Sequence, residues 1–506
     1  MGDILRELYP TEYFYDLKIK KGKLINAKTF IVETSFNLYT QIDNVKKSIL
    51  HWIYLHPCLS VLIKEFQIDC ESKFFYVKAT DDQINSLKNV DFLRFKINDE
   101  ICSNLDDIYW HLILRHELTH KFQSTDLLWR LIILQLSEFR YAFTINLHHG
   151  ISDGPNSFAI IQELLGLIEK QIFFSIPVPN EQRLGHSSYE INFPNDPRKP
   201  SEMSKLEPIA FESRISLILP ECFKSNKTNI EDESLINGIY ETIDGDFYSD
   251  VKNLFQKSLD SNTGHNKMKI SDEIFKEFIQ VCKEKRVKLN GVFELIVCLA
   301  FRKLYKFYEL NQVDNLIKYQ VMINARSFLV PPLPNYVMNA WVKMFMTELE
   351  EVLDEDSEDF WSKFWTQAQK NTLNLHSCLE SFRKRSPFKP DEMMTAIEME
   401  RQDFYYLDAY SHFCITNIGD QKMFIESNGM LKIKEYYTGV SYSPKCSFNI
   451  GVLGTCSIDS SSYWTFSYNK TLLNNFSAQK VLDFIYEYVK KVSGLEKHEI
   501  KSNVGF

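Results

Sequence analysis

The feature that most narrows what this chain can become is a strand, a turn and a helix in immediate succession. Tyr141, Phe143, Ile145 and Leu147 alternate with Ala142, Thr144 and Asn146, the period-two pattern of a strand. His148-His149-Gly150-Ile151-Ser152-Asp153-Gly154 follow, and then Pro155, which suits the first turn of a helix. Phe158, Ile161, Leu165 and Ile168 give that helix one apolar face. The apolar run 127–136 comes just before, separated by Ser137-Glu138-Phe139-Arg140, so a hairpin is predicted to lead into the turn.

The other periodicities are mixed in the same way. Residues 44–55 read as a helix with Val45, Ile49, Trp52 and Ile53 on one face, stopping before Pro57. A helix opens at Ser271, with Ile274, Phe278 and Val281 at helical spacing, and a second runs from Asn290 through Leu304. Residues 318–324 read as a strand, and 446–453 with 463–468 as a hairpin around Asp459-Ser460-Ser461-Ser462. The helix 477–492, with Val481, Leu482, Ile485 and Val489 on one face, closes the pattern. Lys18, Lys20, Lys21 and Lys23 read as a hairpin surface. The fold class expected is α/β with mixed sheets.

A length of 506 residues exceeds what one core organises, so two domains with a cleft between them are expected. The proline-punctuated stretch 187–204, with Pro194, Pro197 and Pro200, is the best crossover. It divides the chain into a first domain, 1–186, a crossover and loop, 187–234, and a second domain, 235–506. With 44% hydrophobic and 25% charged residues, 38 Phe and 25 Tyr, the chain is of ordinary globular composition. A net charge of −9 argues against a nucleic-acid partner, because phosphate binding needs a concentrated basic surface. The start of the chain lacks the pattern of a signal peptide, and Leu127–Leu136, broken by Arg130 and Gln135, is too short for a transmembrane segment. The ten cysteines include no C-x-x-C pair, which suits reduced thiols in a cytoplasmic protein.

A histidine exposed at a strand-to-helix turn can take up a proton near neutral pH. With an alcohol or amine held against His149 beside a thioester, proton removal during attack gives a tetrahedral oxyanion that expels the thiol. No acyl-enzyme is needed. Gly150 and Gly154 allow close backbone approach, and Asp153 can lock the turn through an ion pair.

This segment resembles the His-His-x-x-x-Asp-Gly signature of the CoA-dependent acyltransferase superfamily, which includes chloramphenicol acetyltransferase, alcohol acetyltransferases and condensation domains. His56-Pro57-Cys58-Leu59 is similar to the family's His-Pro-x-Leu element, and Lys288-Leu289-Asn290-Gly291-Val292 to the turn opening a helix early in its second domain. Asn324-Ala325-Arg326 looks like the strand end carrying its buried arginine, and Thr416-Asn417-Ile418-Gly419 like the Ser-Asn-x-Gly element of its crossing loop. The resemblance implies two similar chloramphenicol-acetyltransferase-like domains with an active-site tunnel between them. In it His149 is the general base, and Asp153 pairs with Arg326 in an architectural role. His148 and Gly154 support the turn, and Thr416 and Asn417 are crossing-loop candidates. The reaction implied is acyl transfer from acyl-CoA to a hydroxyl, or less readily an amine, on a small-molecule acceptor. Acyl-CoA is then a co-substrate, with no permanently bound cofactor and no metal. No Asp-Phe-Gly-Trp-Gly motif of the plant branch is present, and no carrier domain is fused, which favours free acyl-CoA over a donor on a carrier protein. The CoA phosphates need cations, for which Lys283, Lys285, Arg286 and Lys288 are candidates, with Arg383, Lys384, Arg385 and Lys389 as a second cluster.

Three other readings compete. Residues 150–154 also spell Gly-x-Ser-x-Gly, the elbow of a serine hydrolase with Ser152 as nucleophile, and His265, His376, His412 and His498 could supply its base. The adjacent histidines could bind a metal, although neighbouring side chains rarely aim at one ion. A silent acyltransferase fold could serve as a binding or scaffolding protein.

Overall fold

Two hydrophobic cores organise the chain, one built mainly from its first 168 residues and one mainly from residues 270–492. The computed structural model describes residues 3–94, 106–174, 261–309, 316–328, 332, 335, 338, 342–349, 353–384, 411–421, 430–443 and 449–495. The expected crossover, 187–234, lies outside the described residues, as do Arg385, Lys389 and His498.

The first half runs β1 (Ile4–Glu7), α1 (Pro10–Lys20), β2 (Asn26–Thr34), α2 (Ile42–Leu55), β3 (Val61–Ile68), β4 (Glu71–Lys78), α3 (Asp81–Asn85), β5 (Val90–Arg94), α4 (Asp106–Glu117), β6 (Trp129–Ser137), β7 (Arg140–Leu147) and α5 (Gly154–Phe174). The second runs β8 (Thr263–Ile270), α6 (Asp272–Glu284), α7 (Leu289–Phe307), β9 (Ile317–Asn324), β10 (Val342–Leu349), α8 (Phe360–Lys384), β11 (Ser411–Asp420), β12 (Leu431–Val440), β13 (Asn449–Ile458), β14 (Ser461–Asn469) and α9 (Asn475–Ser493).

Strands β6 and β7 form the predicted antiparallel hairpin, and they sit inside a five-stranded sheet of order β12-β2-β7-β6-β5. A six-stranded sheet, β10-β9-β11-β13-β14-β8, carries the second half, and β1, β4 and β3 form a small third sheet. Parallel and antiparallel pairs occur in both large sheets, so the mixed α/β class is correct. Sheet membership does not follow the linear division at 187–234. Strand β12 comes late in the chain yet pairs antiparallel with β2, from Leu431 opposite Thr34 to Val440 opposite Asn26. Its Tyr436 lies 5.0 Å from Phe30 and 5.5 Å from Phe158, filling the first core.

Local sequence explains most boundaries. Helix α2 buries Val45, Ser48, Ile49, Trp52 and Ile53 and ends at His56, whose extended backbone suits the residue before Pro57. Leu59, completely buried, accepts a 2.7 Å hydrogen bond from Trp129 Nε1, fastening the His-Pro-x-Leu element under β6. Helix α9 is capped by Asn474, which accepts from the Ser477 N–H, and ends at Gly494 with φ of 74°. The late hairpin differs from expectation. Its first strand runs on to Ile458, and the turn is only Asp459 and Ser460, with φ of 48° and 70°. The lysine run differs too. Lys18 and Lys20 belong to helix α1, and Lys18 is buried, because Pro10 at the first turn and Glu12 closing a capping box start a helix upstream of them. No helix among the described residues is long and apolar enough to cross a membrane.

Candidate active site

The turn between β7 and α5 is held at both ends by backbone. The His148 N–H donates to the Leu128 carbonyl at 2.8 Å, and the Ile151 N–H returns to the His148 carbonyl at 2.9 Å. Asp153 then caps α5: its Oδ1 accepts from the Asn156 N–H at 3.1 Å and its carbonyl from the Ser157 N–H at 3.0 Å. Its other oxygen, Oδ2, meets Arg326 Nη1 at 2.5 Å. Both side chains are buried, and Arg326 comes from just after β9, 173 residues further on. One carboxylate thus fixes the start of a helix in the first half and receives an arginine from the second. Asn335 reinforces the junction, its carbonyl accepting from Asn156 Nδ2 at 3.0 Å and its Oδ1 from Asn324 Nδ2 at 3.2 Å.

The two histidines point to different neighbours. His148 is fully buried; its Nδ1 accepts from the Gly150 N–H at 3.0 Å and its Nε2 faces Asp16 Oδ1 at 3.6 Å. Burial would raise the Asp16 carboxyl, but His148 and Lys20 outweigh it and hold it below the usual carboxylate value. His149 is half-buried and its Nδ1 lies 3.0 Å from the Ser152 carbonyl oxygen. A carbonyl only accepts, so Nδ1 carries the proton and Nε2 keeps the lone pair. Tyr15 stacks on the His149 ring at 4.3 Å with an interplanar angle of 14°. Burial, and then the charge of Lys28, push the His149 imidazole down to about 4, with Asp153 opposing them. Helix α1 therefore contacts both histidines, through Tyr15 and Asp16. Neither residue carries a motif, and nothing near the His-His segment in sequence points to them.

Ser152 is buried inside the turn. Its Oγ is 2.7 Å from Asn156 Oδ1 and 3.0 Å from Ser157 Oγ, and among the described residues no imidazole nitrogen is its partner. Of the histidines offered as its base, the three among the described residues have other surroundings. His265 bonds His111 at 2.8 Å and the Thr438 carbonyl at 2.9 Å, His412 bonds the Tyr305 hydroxyl at 3.0 Å, and His376 is exposed on α8. Among the described residues, no group of three His, Cys, Asp or Glu side chains is placed to hold a metal ion.

Gly154 opens α5 against the second half: a Cβ there would stand 2.8 Å from Ile418 Cγ2. Thr416 and Asn417 were expected in a loop crossing between domains; they lie instead within β11, paired with Gly454 and Thr455 of β13. The crossing element is β12, whose backbone completes the first sheet. Asn417 Oδ1 accepts from the Gly419 N–H at 2.9 Å, and its Nδ2 donates to Asn290 Oδ1 at 2.6 Å. Just ahead of Asn290, Lys283, Lys285, Arg286 and Lys288 are all exposed between the end of α6 and the start of α7.

No family model matches the sequence, and the search of curated proteins returns no match. Solved structures do match over nearly the whole chain. Polyketide synthase associated protein 5 from Mycobacterium tuberculosis superposes with a TM-score of 0.58 at 13% identity, covering 98% of this chain and 100% of its own. The trichothecene 15-O-acetyltransferase of Fusarium sporotrichioides gives 0.61 at 12% identity, with 96% and 95% covered. The first condensation domain of the CDA synthetase gives 0.59 at 8% identity, with 97% of each chain covered. The chain shares the two-domain fold of these acetyltransferase and condensation-domain structures.

Proposed function

We propose that this chain transfers an acyl group from an acyl-CoA thioester directly to a small-molecule hydroxyl, with His149 as general base. The observation that carries the reading is the hydrogen bond between His149 Nδ1 and the Ser152 carbonyl. It fixes the tautomer whose Nε2 can receive a proton, at a turn locked by the buried Asp153–Arg326 pair. As the acceptor oxygen attacks the thioester carbon, its proton passes to Nε2; collapse of the tetrahedral intermediate breaks the C–S bond, and the proton leaves with the thiol. Asp153 acts on geometry, since both of its oxygens are engaged away from the ring. The exposed cations at 283–288 suit the CoA phosphates, and Asn290 ties that turn to Asn417 on β11. Free acyl-CoA is the donor in this reading, with a carrier-bound acyl group and an amine acceptor as lesser variants, and the cytoplasm as the compartment.

The test is release of free thiol from acetyl-CoA and longer acyl-CoAs in the presence of a panel of alcohols and amines. Turnover that His149→Ala abolishes and Ser152→Ala retains supports the reading. Activity lost on Ser152→Ala alone, in folded protein, turns it towards the hydrolase. No thiol release with any acceptor points to a binding or scaffolding role.

A further inference from the structure

Lys28 stands out among the buried polar groups. It lies in the interior of the five-stranded sheet, on β2, opposite Ile145 of β7 and Thr438 of β12, and is completely buried. Among the described residues its Nζ has neither a hydrogen-bond partner nor an ion pair. Alternation along β2 puts Lys28 on the face of Phe30, which packs 5.5 Å from Phe158 of α5, whereas Thr29 turns the other way to bond Thr144 at 2.8 Å. That face leads to the start of α5, where Asp153 and His149 sit.

The charges agree with this placement. Burial lowers the Lys28 ammonium to about 7, with Asp153 opposing, and Lys28 in turn depresses His149. Among the described residues Asp153 makes no ion pair with it; its Oδ1 is bonded to the Asn156 N–H and its Oδ2 to Arg326. A buried ammonium without a partner is costly, and a Leu or Met would serve the sheet better. A single buried Nζ on the sheet face that leads to this turn is suited to a ligand that brings one negative charge.

We infer that Lys28 is an acceptor-recognition residue, pairing with a carboxylate carried by the molecule that His149 deprotonates; this rests on the acyl-transfer reading of the site. The acceptor is the source of that charge rather than the donor, because the anionic groups of CoA are its phosphates, remote from the thioester. A lone ammonium matches a carboxylate better than a phosphate dianion, which calls for several donors. Pairing also has a consequence for the base. Once a carboxylate neutralises Lys28, the charge that weakens His149 is cancelled, so an acceptor of the right class makes its own base stronger.

Binding tests this separately from turnover. Benzoate, its neutral isostere benzamide and inorganic phosphate are titrated by calorimetry, at fixed ionic strength, into wild-type protein and the His149→Ala and Lys28→Met variants. The expected result is benzoate binding at least 10-fold tighter than benzamide in wild type and His149→Ala, with the preference lost in Lys28→Met. NMR of the imidazole nitrogens should show the His149 titration moving upward when benzoate binds to wild type. Equal benzoate affinity in wild type and Lys28→Met overturns the inference, as does a preference for phosphate. So does an equal loss of kcat in Lys28→Met for carboxylated and neutral acceptors, which would make Lys28 an oxyanion stabiliser. Absence of thiol release with every acceptor, alongside Lys28-dependent benzoate binding, would instead count against the transfer reading alone.

Discussion

Arg326 Nη1 and Asp153 Oδ2 meet at 2.5 Å, both buried, and the contact joins two halves of the chain at the turn that bears His149. Removing one partner leaves the other charge buried without its counter-ion. Arg326→Leu should therefore cost about 3–5 kcal/mol of stability, read by urea unfolding. The double variant Arg326→Leu with Asp153→Asn should recover part of that loss, since it leaves no stranded carboxylate. Two single variants each within about 0.5 kcal/mol of wild type would show that the pair does not support the turn.

His149 should act as a base well below neutral pH. Its imidazole is held at about 4 against an ordinary value of 6.5, so the ring stays neutral and able to accept a proton through the range where a typical histidine becomes charged. The acid limb of kcat/KM should fall near pH 4 in the absence of an anionic acceptor, and activity at pH 5.5 should match that at pH 7. A limb near 6.5 would show that the ring is not desolvated as described. His149→Ala should lower kcat by about 10²–10⁴-fold without altering circular dichroism.

Lys28→Met should stabilise the protein. The Lys28 pKa is lowered from 10.5 to about 7, so between those values the unfolded chain holds a proton that the folded chain has lost, and stability rises with pH across the window. Below pH 7 the full cost of the buried charge is present. The gain from the substitution should be largest at pH 6–7, on the order of a few kcal/mol, and shrink towards pH 10.5. A melting temperature lowered by the substitution at pH 7 would contradict this account.

Gly154 should tolerate no larger residue unless β11 gives way. A Cβ would stand 2.8 Å from Ile418 Cγ2, a methyl group on a stiff β-branched side chain. Gly154→Val should cost about 1–3 kcal/mol and reduce turnover, and adding Ile418→Ala should restore much of both. Thermal melts and thiol release on the two variants check it.

Much of this architecture is legible in the sequence wherever neighbours in the chain are neighbours in space. Alternation from Tyr141 to Leu147, and the apolar stripe Phe158-Ile161-Leu165-Ile168, mark β7 and α5 because each gathers its large apolar side chains on one face, although both elements are buried nearly all round. Thr416 and Asn417 show the limit: their residue types resemble a loop element, but pairing with β13, and for Thr416 with β9 as well, draws them into a sheet. Strand β12 is less visible still, since its partner β2 precedes it by about 400 residues and no local pattern encodes that distance. Lys28 is hidden for a related reason. It reads as one more surface lysine until β12 and β7 close over it from either side. Tyr15 and Asp16 reach the histidines through tertiary packing alone.

The position of β12 also bears on how the molecule can move. A strand that begins in one half and is stitched into the other works as a strap, and the halves cannot swing apart like jaws without tearing its ladder to β2. Cutting the chain between them would not release two pieces. Movements of side chains and loops around His149 are the ones that leave that ladder whole.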